Sequence, residues 1–305
     1  MRYVFGWSVW KTLGRHGKRR KETFTYCRRE FAIKKEGIRN VSGTAISIDL
    51  NADLGEGFGP YGFGEDEALL RIVSSANVAC GFHAGDPSIM RRTVEQCLEH
   101  GVAIGAHPGL PDRLGFGRRE MKITAQEAGD WVSYQLGALQ AIAAAAGGEV
   151  RHVKPHGALY HMVSKDEALA DAVVRAIRAA DGRLLVYGPP NSRLREAAER
   201  AGLAFAAEGF ADRAYAADGS LVSREMPGAL LETEEQALGQ ALSLAKHGYA
   251  VTPDGVRVAL EVRTICIHGD APGAAERAAL LARGLLSAGV RIAAPCQNGG
   301  SFVER

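Results

Sequence analysis

Residues 46–56 read ISIDLNADLGE, in which a short apolar segment, Ile46–Leu50, runs directly into polar residues. The apolar segment predicts a buried β-strand. The polar residues at its end are Asp49, Asn51, Asp53 and Glu56. The same unit recurs from residue 45 onward: an apolar strand, polar residues where it ends, and then a helix. Seven such units predict parallel strands joined by helical crossovers.

Capping signals mark where the predicted helices begin. Asp86 before Pro87 is typical of an N-cap with proline at the first helical position, and Gly101 ends that helix. Three further helices begin at capping pairs, which are Thr124 with Glu127, Ser164 with Glu167, and Thr233 with Gln236. The predicted strands cover residues 46–50, 76–80, 102–106, 150–153, 184–187, 203–207 and 264–267. Helices are predicted over residues 65–75, 192–201 and 274–288 in addition to the capped ones, and a hairpin turn at Pro253-Asp254-Gly255.

The position of the polar residues distinguishes a barrel from an open sheet. In an open sheet only the strands beside the switch point carry reactive residues at their ends, whereas in a barrel all strand ends meet at one mouth. All seven predicted strands carry such residues. We therefore predict an α/β fold, an irregular TIM-barrel-like (β/α) barrel with about seven parallel strands.

Charge separates the first 44 residues from the rest of the chain. Lys and Arg outnumber Asp and Glu by 12 to 3 in residues 1–44, whereas the remainder holds 25 basic and 32 acidic residues. We expect residues 1–44 to be a disordered extension without a function of its own, and residues 45–305 to be a single catalytic barrel domain. A tail of this kind can bind nucleic acid or direct targeting, but we expect no nucleic-acid partner.

Composition also bears on location. Five scattered cysteines without a CxxC pair favour a reducing cytoplasm over a disulfide framework or a zinc ribbon. No run of about 18 apolar residues occurs, so no transmembrane helix or membrane partner is expected. We expect a cytoplasmic protein.

Four histidines follow four different predicted strands: His83, His107, His156 and His268. A lone histidine at such a position is more often a hydrogen-bonded core residue than a catalytic one. Four of them at four strand ends favour one shared site instead.

Two glycine-rich loops suggest anion binding. Residues 57–62 match GxGxxG, but no acidic residue ends a second strand about 20 residues later, as a dinucleotide site requires. No GxxxxGK[ST] motif is present, so any ATP is bound without a P-loop. Arg118 and Arg119 follow the second loop, and their guanidinium groups suit carboxylate or phosphate, although two solvated surface arginines explain the loop equally well.

Longer segments resemble a known family. The segments are SIDLNADLGEGFG (47–59), SANVACGFHAGD (75–86), GAHPGLPDRLGFGRR (105–119), VKPHGALY (153–160), EGFADRAY (208–215) and RTICIHGD (263–270). Together they are similar to the signature blocks of the LamB/YcsF family, the A subunits of prokaryotic 5-oxoprolinase. The resemblance covers about residues 45–295 and leaves out the basic extension.

The resemblance implies a β/α barrel that acts with subunits B and C to convert 5-oxoproline, ATP and water into glutamate, ADP and phosphate. ATP is then a co-substrate, Mg²⁺ accompanies it, and no tightly bound organic cofactor is expected. Two alternatives stay open: a metal-dependent deacetylase or amidohydrolase that acts without ATP, and a non-catalytic subunit that binds a lactam or a carbohydrate.

The chemistry of that reaction suggests roles for the strand-end residues, because it needs cations for anionic groups and an acid or base for water and the ring nitrogen. The catalytic candidates are His107, Lys154, His156, His268 and Glu208. The substrate-binding candidates are Asn77, Asp112, Arg118, Arg119, Tyr187 and Arg213. The metal-binding candidates are Asp53, Glu56 and His83.

Overall fold

Seven parallel strands close into a barrel in the computed structural model, which describes residues 46–223, 226–267 and 273–295. The barrel strands are β1 (Ser47–Leu54), β2 (Ser75–Ala79), β3 (Ala103–His107), β4 (Val150–Val153), β5 (Leu185–Gly188), β6 (Phe205–Phe210) and, further along the chain, β9 (Thr264–Ile267). Strands β1 to β6 pair in sequence order, β6 pairs with β9, and β9 pairs back with β1. The predicted irregular barrel is confirmed.

Three short strands lie outside the closed barrel. The antiparallel pair β7 (Tyr249–Val251) and β8 (Arg257–Ala259) forms the hairpin predicted around Pro253-Asp254-Gly255. Strand β10 (Arg291–Ile292) pairs in parallel with the first two residues of β1, Ser47 and Ile48. The sequence did not predict β10, because two paired residues give no periodic pattern.

Helices surround the barrel where the crossovers were expected. They are α1 (Asp66–Leu70), α2 (Pro87–His100), α3 (Ala125–Ala145), α4 (Gly157–Lys165), α5 (Glu167–Ala180), α6 (Arg193–Ala201), α7 (Glu234–His247) and α8 (Ala274–Ser287). The caps at Asp86, Thr124 and Thr233 are confirmed, and each side-chain oxygen accepts a backbone N–H of the first helical turn. None of the helices in the described ranges is both long and apolar enough to cross a membrane.

Two helix predictions were wrong. The helix predicted over residues 65–75 ends at Leu70, because Ser74 and Ser75 turn inward and donate hydrogen bonds to Asp49. Ser164 does not cap a helix; it lies in the last turn of α4, where its hydroxyl bonds the Tyr160 carbonyl, and Asp166 caps α5 instead. Helix α4 was not predicted, since the prediction began the helix after strand four at Ser164.

The faces of each barrel strand differ in polarity. Leu50, Ala52 and Leu54 of β1 belong to the apolar core shared with the helices, and all three are fully buried. The alternate residues Asp49, Asn51 and Asp53 bond side chains of other barrel strands, since successive side chains of a strand point to opposite faces. The interior of this barrel is therefore polar, and it leads upward to the strand ends.

Candidate functional site

The lowest layer of the polar interior is centred on the carboxylate of Asp49. It accepts hydrogen bonds from four hydroxyl groups, which belong to Ser74 (2.6 Å), Ser75 (2.8 Å), Thr264 (2.6 Å) and Tyr187 (3.1 Å). Burial raises the pKa of Asp49 above its ordinary value, and the four hydroxyl groups oppose that effect. Tyr187, a predicted substrate-binding residue, thus lies in this buried layer and is only 1% exposed.

The middle layer joins β1 to β2, β4 and β6 through amide and imidazole groups. The Asn77 amide donates to the Asn51 Oδ1 atom at 2.7 Å, and the His152 ring donates from Nε2 to the Asn77 Oδ1 atom at 2.8 Å. Burial, together with the charge of Lys154, lowers the pKa of His152 to about 3, so this ring is neutral near pH 7. Glu208 accepts from the Asn51 amide at 3.1 Å and from the Tyr160 hydroxyl at 2.8 Å.

Above these layers lies a buried ammonium group held by two carboxylates. Lys154 Nζ is 2.8 Å from Glu208 Oε1 and 3.1 Å from Asp53 Oδ1, and it also donates to the Cys266 sulfur at 3.1 Å. Burial alone would lower the pKa of Lys154, but the opposing charges of Asp53 and Glu208 outweigh it and raise that pKa well above its ordinary value. Lys154 is therefore charged, and it cannot act as a nucleophile near pH 7.

Three histidine rings and two carboxylates lie at the mouth of the barrel, above Lys154. We call these five residues, His83, His107, His156, Asp53 and Glu56, the histidine cluster. His107 Nε2 is 2.9 Å from His156 Nδ1 and 3.2 Å from Asp53 Oδ2, and Glu56 Oε1 is 3.2 Å from His83 Nε2 and 3.6 Å from His156 Nδ1. One donor atom from Glu56 and from each histidine lies within 4.8 Å of the others, a spacing that a metal ion can bridge.

Burial controls the charge of the cluster. It lowers the pKa of His156 to about 3 and that of His83 well below its ordinary value, and the neighbouring histidines add to both shifts. Burial opposes ionisation of Asp53 too, but attraction to His107 and Lys154 holds its pKa well below the usual range. Asp53 is 23% exposed, compared with 7% or less for the side chains of Glu56 and the three histidines. Asp53 is therefore the member of the cluster most exposed to solvent.

Backbone geometry of the 112–117 loop places the His156 ring. His156 is the N-cap of α4 but makes no capping bond; its Nε2 instead donates to the Phe116 carbonyl at 2.8 Å. Phe116 adopts the left-handed region with φ 54°, and Gly117 follows with φ 62°. A Cβ on Gly117 would come within 2.7 Å of the His83 side chain. Only glycine fits at position 117, so the close packing of this loop against the histidine cluster depends on that glycine.

The loop arginines and Arg213 have different surroundings. Asp112 pairs with Arg119 and caps the 3₁₀ turn Arg113–Gly115, and these contacts lower the pKa of Asp112 to about 2. Arg118 is exposed at the rim, and its charge contributes to the lowered pKa of His156. Arg213 donates to the Val222 carbonyl at 2.7 Å within the segment between β6 and α7.

The glycine-rich segment after β1 forms a tight turn. The Phe58 and Tyr61 amides bond each other's carbonyl groups at 2.9 Å, and the Gly59 amide donates to Asp86 at 2.8 Å. The Gly55 amide donates to Asp66. These four amides already have acceptors within the chain, so they do not form the phosphate cradle that the glycine pattern suggested.

Eight of the predicted site residues lie together in the structure, and four residues outside the predicted set lie among them. The structure brings together His107, Lys154, His156, Glu208, Asn77, Asp53, Glu56 and His83. It adds Asn51, His152, Tyr160 and Cys266, of which Asn51 and Cys266 alternate along their strands with Asp49, Asp53 and Thr264. Period-two alternation could have found Asn51 and Cys266. The predicted role of His268 concerns a position outside the described residues.

Comparison with known proteins identifies the family of the chain. The sequence profile of the LamB/YcsF family matches residues 48–299. The chain belongs to the LamB/YcsF family. Among its relatives are proteins named as the A subunit of 5-oxoprolinase. The one from Tolumonas auensis is 54% identical over 81% of this chain and 98% of the relative, and the one from Methylococcus capsulatus is 51% identical over 82% and 96%.

A solved structure of similar length supports the same membership. The lactam utilization protein from Thermus thermophilus is 43% identical to this LamB/YcsF chain, covers 81% of it and 98% of its own length, and superimposes with a TM-score of 0.78. The names of these relatives refer to one subunit of 5-oxoprolinase and to lactam utilization.

Proposed function

We propose that this chain is the A subunit of an ATP-dependent 5-oxoprolinase, which opens the lactam of 5-oxo-L-proline to L-glutamate as ATP is hydrolysed to ADP and phosphate. In this proposal it works in the cytoplasm with subunits B and C. The observation that carries the proposal is the 54% identity over 98% of a relative that bears the name of this 5-oxoprolinase component. The cluster of buried polar groups at the barrel mouth is the place where that reaction would occur.

The reaction has two chemical demands. A lactam carbonyl is a poor electrophile, so the γ-phosphoryl group of ATP is transferred to the lactam oxygen and ADP leaves. Water then adds to the ring carbon, and the carbon–nitrogen bond breaks as the nitrogen takes a proton, which leaves an acyl phosphate. A second water molecule hydrolyses that acyl phosphate to glutamate and phosphate. The site must therefore bind anionic groups and move protons to and from water and nitrogen.

The described residues meet these demands in different ways. Arg118 is exposed at the rim, where its guanidinium group can contact a phosphate or carboxylate group from solvent. The ammonium group of Lys154 is buried between Asp53 and Glu208. In this proposal His107 Nε2, which lies 3.2 Å from Asp53 Oδ2, and His156 Nδ1 are the atoms that would take a proton from the attacking water. Asp53 orients His107 and is the accessible member of the group.

A reconstituted assay tests the proposal. The full chain is mixed with subunits B and C, 5-oxoproline and ATP, and the release of glutamate and of phosphate is followed for Asp53→Asn and for the surface control Asp171→Asn. We expect Asp53→Asn to lose on the order of 100-fold or more in turnover while still assembling. The control, whose partner is the exposed Arg200, should keep full turnover.

Two outcomes would favour the other functions. Glutamate release by the chain alone, without nucleotide, would support a metal-dependent amidohydrolase, a candidate that the histidine cluster itself favours. Binding of 5-oxoproline with unchanged turnover in Asp53→Asn would support a non-catalytic binding subunit.

A further inference from the structure

The hydrogen-bond partners of two histidines fix where their protons lie. His107 Nδ1 is 2.7 Å from the Lys154 carbonyl oxygen, and His156 Nε2 is 2.8 Å from the Phe116 carbonyl oxygen. A carbonyl oxygen only accepts, so each of these nitrogens carries the hydrogen. The other two nitrogens, His107 Nε2 and His156 Nδ1, are therefore the atoms of these rings that can offer lone pairs to a cation.

These two lone pairs point at each other. The nitrogens are 2.9 Å apart, and carboxylate oxygens lie beside them, Asp53 Oδ2 at 3.2 Å from His107 Nε2 and Glu56 Oε1 at 3.6 Å from His156 Nδ1. Four acceptor atoms this close together require a cation among them, either a shared proton or a metal ion. We infer that these four atoms bind a divalent ion of the first transition row.

His83 is excluded from the ligand set by the orientation of its ring. Its plane is within 2° of that of His156, and the ring centroids are 3.6 Å apart, so the two rings are stacked. An imidazole lone pair lies in the plane of its ring, so one ion cannot lie in both of these parallel planes. His107 meets His156 at 87°, and an ion can lie in both of those planes.

His83 instead supports the site from outside. Its Nε2 donates to Glu56 Oε1 at 3.2 Å, and its Nδ1 has no hydrogen-bond partner among the described residues. If Nδ1 carried the hydrogen, a buried donor would be unsatisfied, which costs about 1–3 kcal/mol. The hydrogen therefore belongs on Nε2, where it orients Glu56. The carbonyl groups that fix His107 and His156 play the same role for their rings.

The donor atoms indicate the class of metal. Two imidazole nitrogens with two carboxylates suit zinc, cobalt, manganese and iron, whereas magnesium prefers oxygen ligands and retains water. Cys266 does not belong to the set, because its sulfur contacts Lys154 Nζ, and burial raises the pKa of its thiol well above the ordinary value. The ion is therefore distinct from the Mg²⁺ that accompanies ATP.

This inference stands on the cluster geometry and does not depend on the proposed reaction. An ion there would lower the pKa of a bound water molecule and supply hydroxide near neutral pH. His107 and His156 would then be metal ligands and not proton carriers.

Metal binding by the full-length chain tests the inference. After chelator treatment the chain is titrated with Zn²⁺ against a chromogenic indicator, and with Co²⁺ while the visible spectrum is recorded; Mg²⁺ is the comparison ion. We expect one Zn²⁺ per chain. His107→Gln and His156→Gln should each weaken Zn²⁺ binding by more than about 100-fold, whereas the outer residue variant His83→Gln should weaken it by about tenfold. His100→Gln, at the end of α2 and outside the cluster, should bind as the wild type does.

Several results would overturn the ligand set. A wild-type chain that binds neither Zn²⁺ nor Co²⁺ and shows a proton shared between His107 and His156 by NMR would refute the ion. A loss in His83→Gln as large as in His156→Gln would refute the stacking argument. A sulfur-to-cobalt charge-transfer band would place Cys266 in the set. If a glutamine variant fails to fold, the wild-type Co²⁺ spectrum still decides between nitrogen–oxygen and sulfur ligation.

Discussion

Replacement of Lys154 by methionine tests how far the buried charges depend on one another. The substitution keeps most of the side-chain volume but removes the ammonium group within 3.1 Å of both Glu208 and Asp53. Removal of one partner from a buried ion pair costs about 3–5 kcal/mol, because it leaves an uncompensated charge. Two carboxylates lose their partner here, so we expect a loss of about 4–5 kcal/mol in the free energy of unfolding.

The assay is thermal and urea unfolding of Lys154→Met beside Lys122→Met, an exposed lysine in the loop before α3. For a domain of this size the expected loss lowers the unfolding midpoint by on the order of 10 °C, whereas the Lys122 variant should stay within about 0.5 kcal/mol of the wild type. Adding Glu208→Gln to Lys154→Met removes one of the two stranded charges and should recover on the order of 2 kcal/mol.

The pH dependence provides a second check. Without Lys154 the attraction that holds the pKa of Asp53 low is reduced, while burial still raises it. Protonation of Asp53 relieves the stranded charge, so the deficit of Lys154→Met should shrink as pH falls from 7 towards 5. A variant as stable as the wild type at pH 7, or a deficit independent of both pH and Glu208→Gln, would refute the account of a charge-compensated interior.

Three further predictions concern other parts of the chain. Gly105→Ala should destabilise the protein by about 1–3 kcal/mol in urea unfolding, because its Cβ would overlap the His152 ring; the control Gly137→Ala, in an open position on α3, should be neutral or stabilising by up to about 1 kcal/mol. His152 has an ordinary pKa of 6.5 and a folded pKa of about 3, so between these values the unfolded chain binds a proton that the folded chain does not. In this range the free energy of unfolding should decrease by up to about 1.4 kcal/mol for each unit by which the pH is lowered, and an unchanged slope in His152→Gln would contradict this. Deletion of residues 1–40, which precede the family match at residue 48, should leave the unfolding midpoint and activity unchanged, and a large drop in either would assign the extension a role.

The barrel could be predicted because strand-end polar residues and capping pairs are local signals. Asp86 with Pro87, and Thr124 with Glu127, gave helix starts that the structure confirms. The helix predicted to continue to Ser75 failed because the sequence does not show that Asp49, 26 residues away, recruits that hydroxyl. Tertiary contacts of this kind override local helix propensity.

Membership of the site was predicted better than the contacts within it. Lys154, His107 and His156 follow strands, so their convergence follows from barrel geometry. That His107 and His156 would direct lone pairs at each other depends on two distant carbonyl groups, those of Lys154 and Phe116. The left-handed conformation of Phe116, a non-glycine residue, has no sequence signal.

Strand β1 contributes one side chain to each layer of the interior, Asp49, Asn51 and Asp53 in turn. A single eight-residue segment therefore sets the height of every layer, from the hydroxyl groups at the base to the histidine cluster. A shift of β1 by one residue would replace all three polar side chains with Leu50, Ala52 and Leu54. To build this site into an apolar barrel, an engineer would have to transfer the whole of β1. Single substitutions at the barrel mouth would not be enough, because each layer fixes the position of the layer above it.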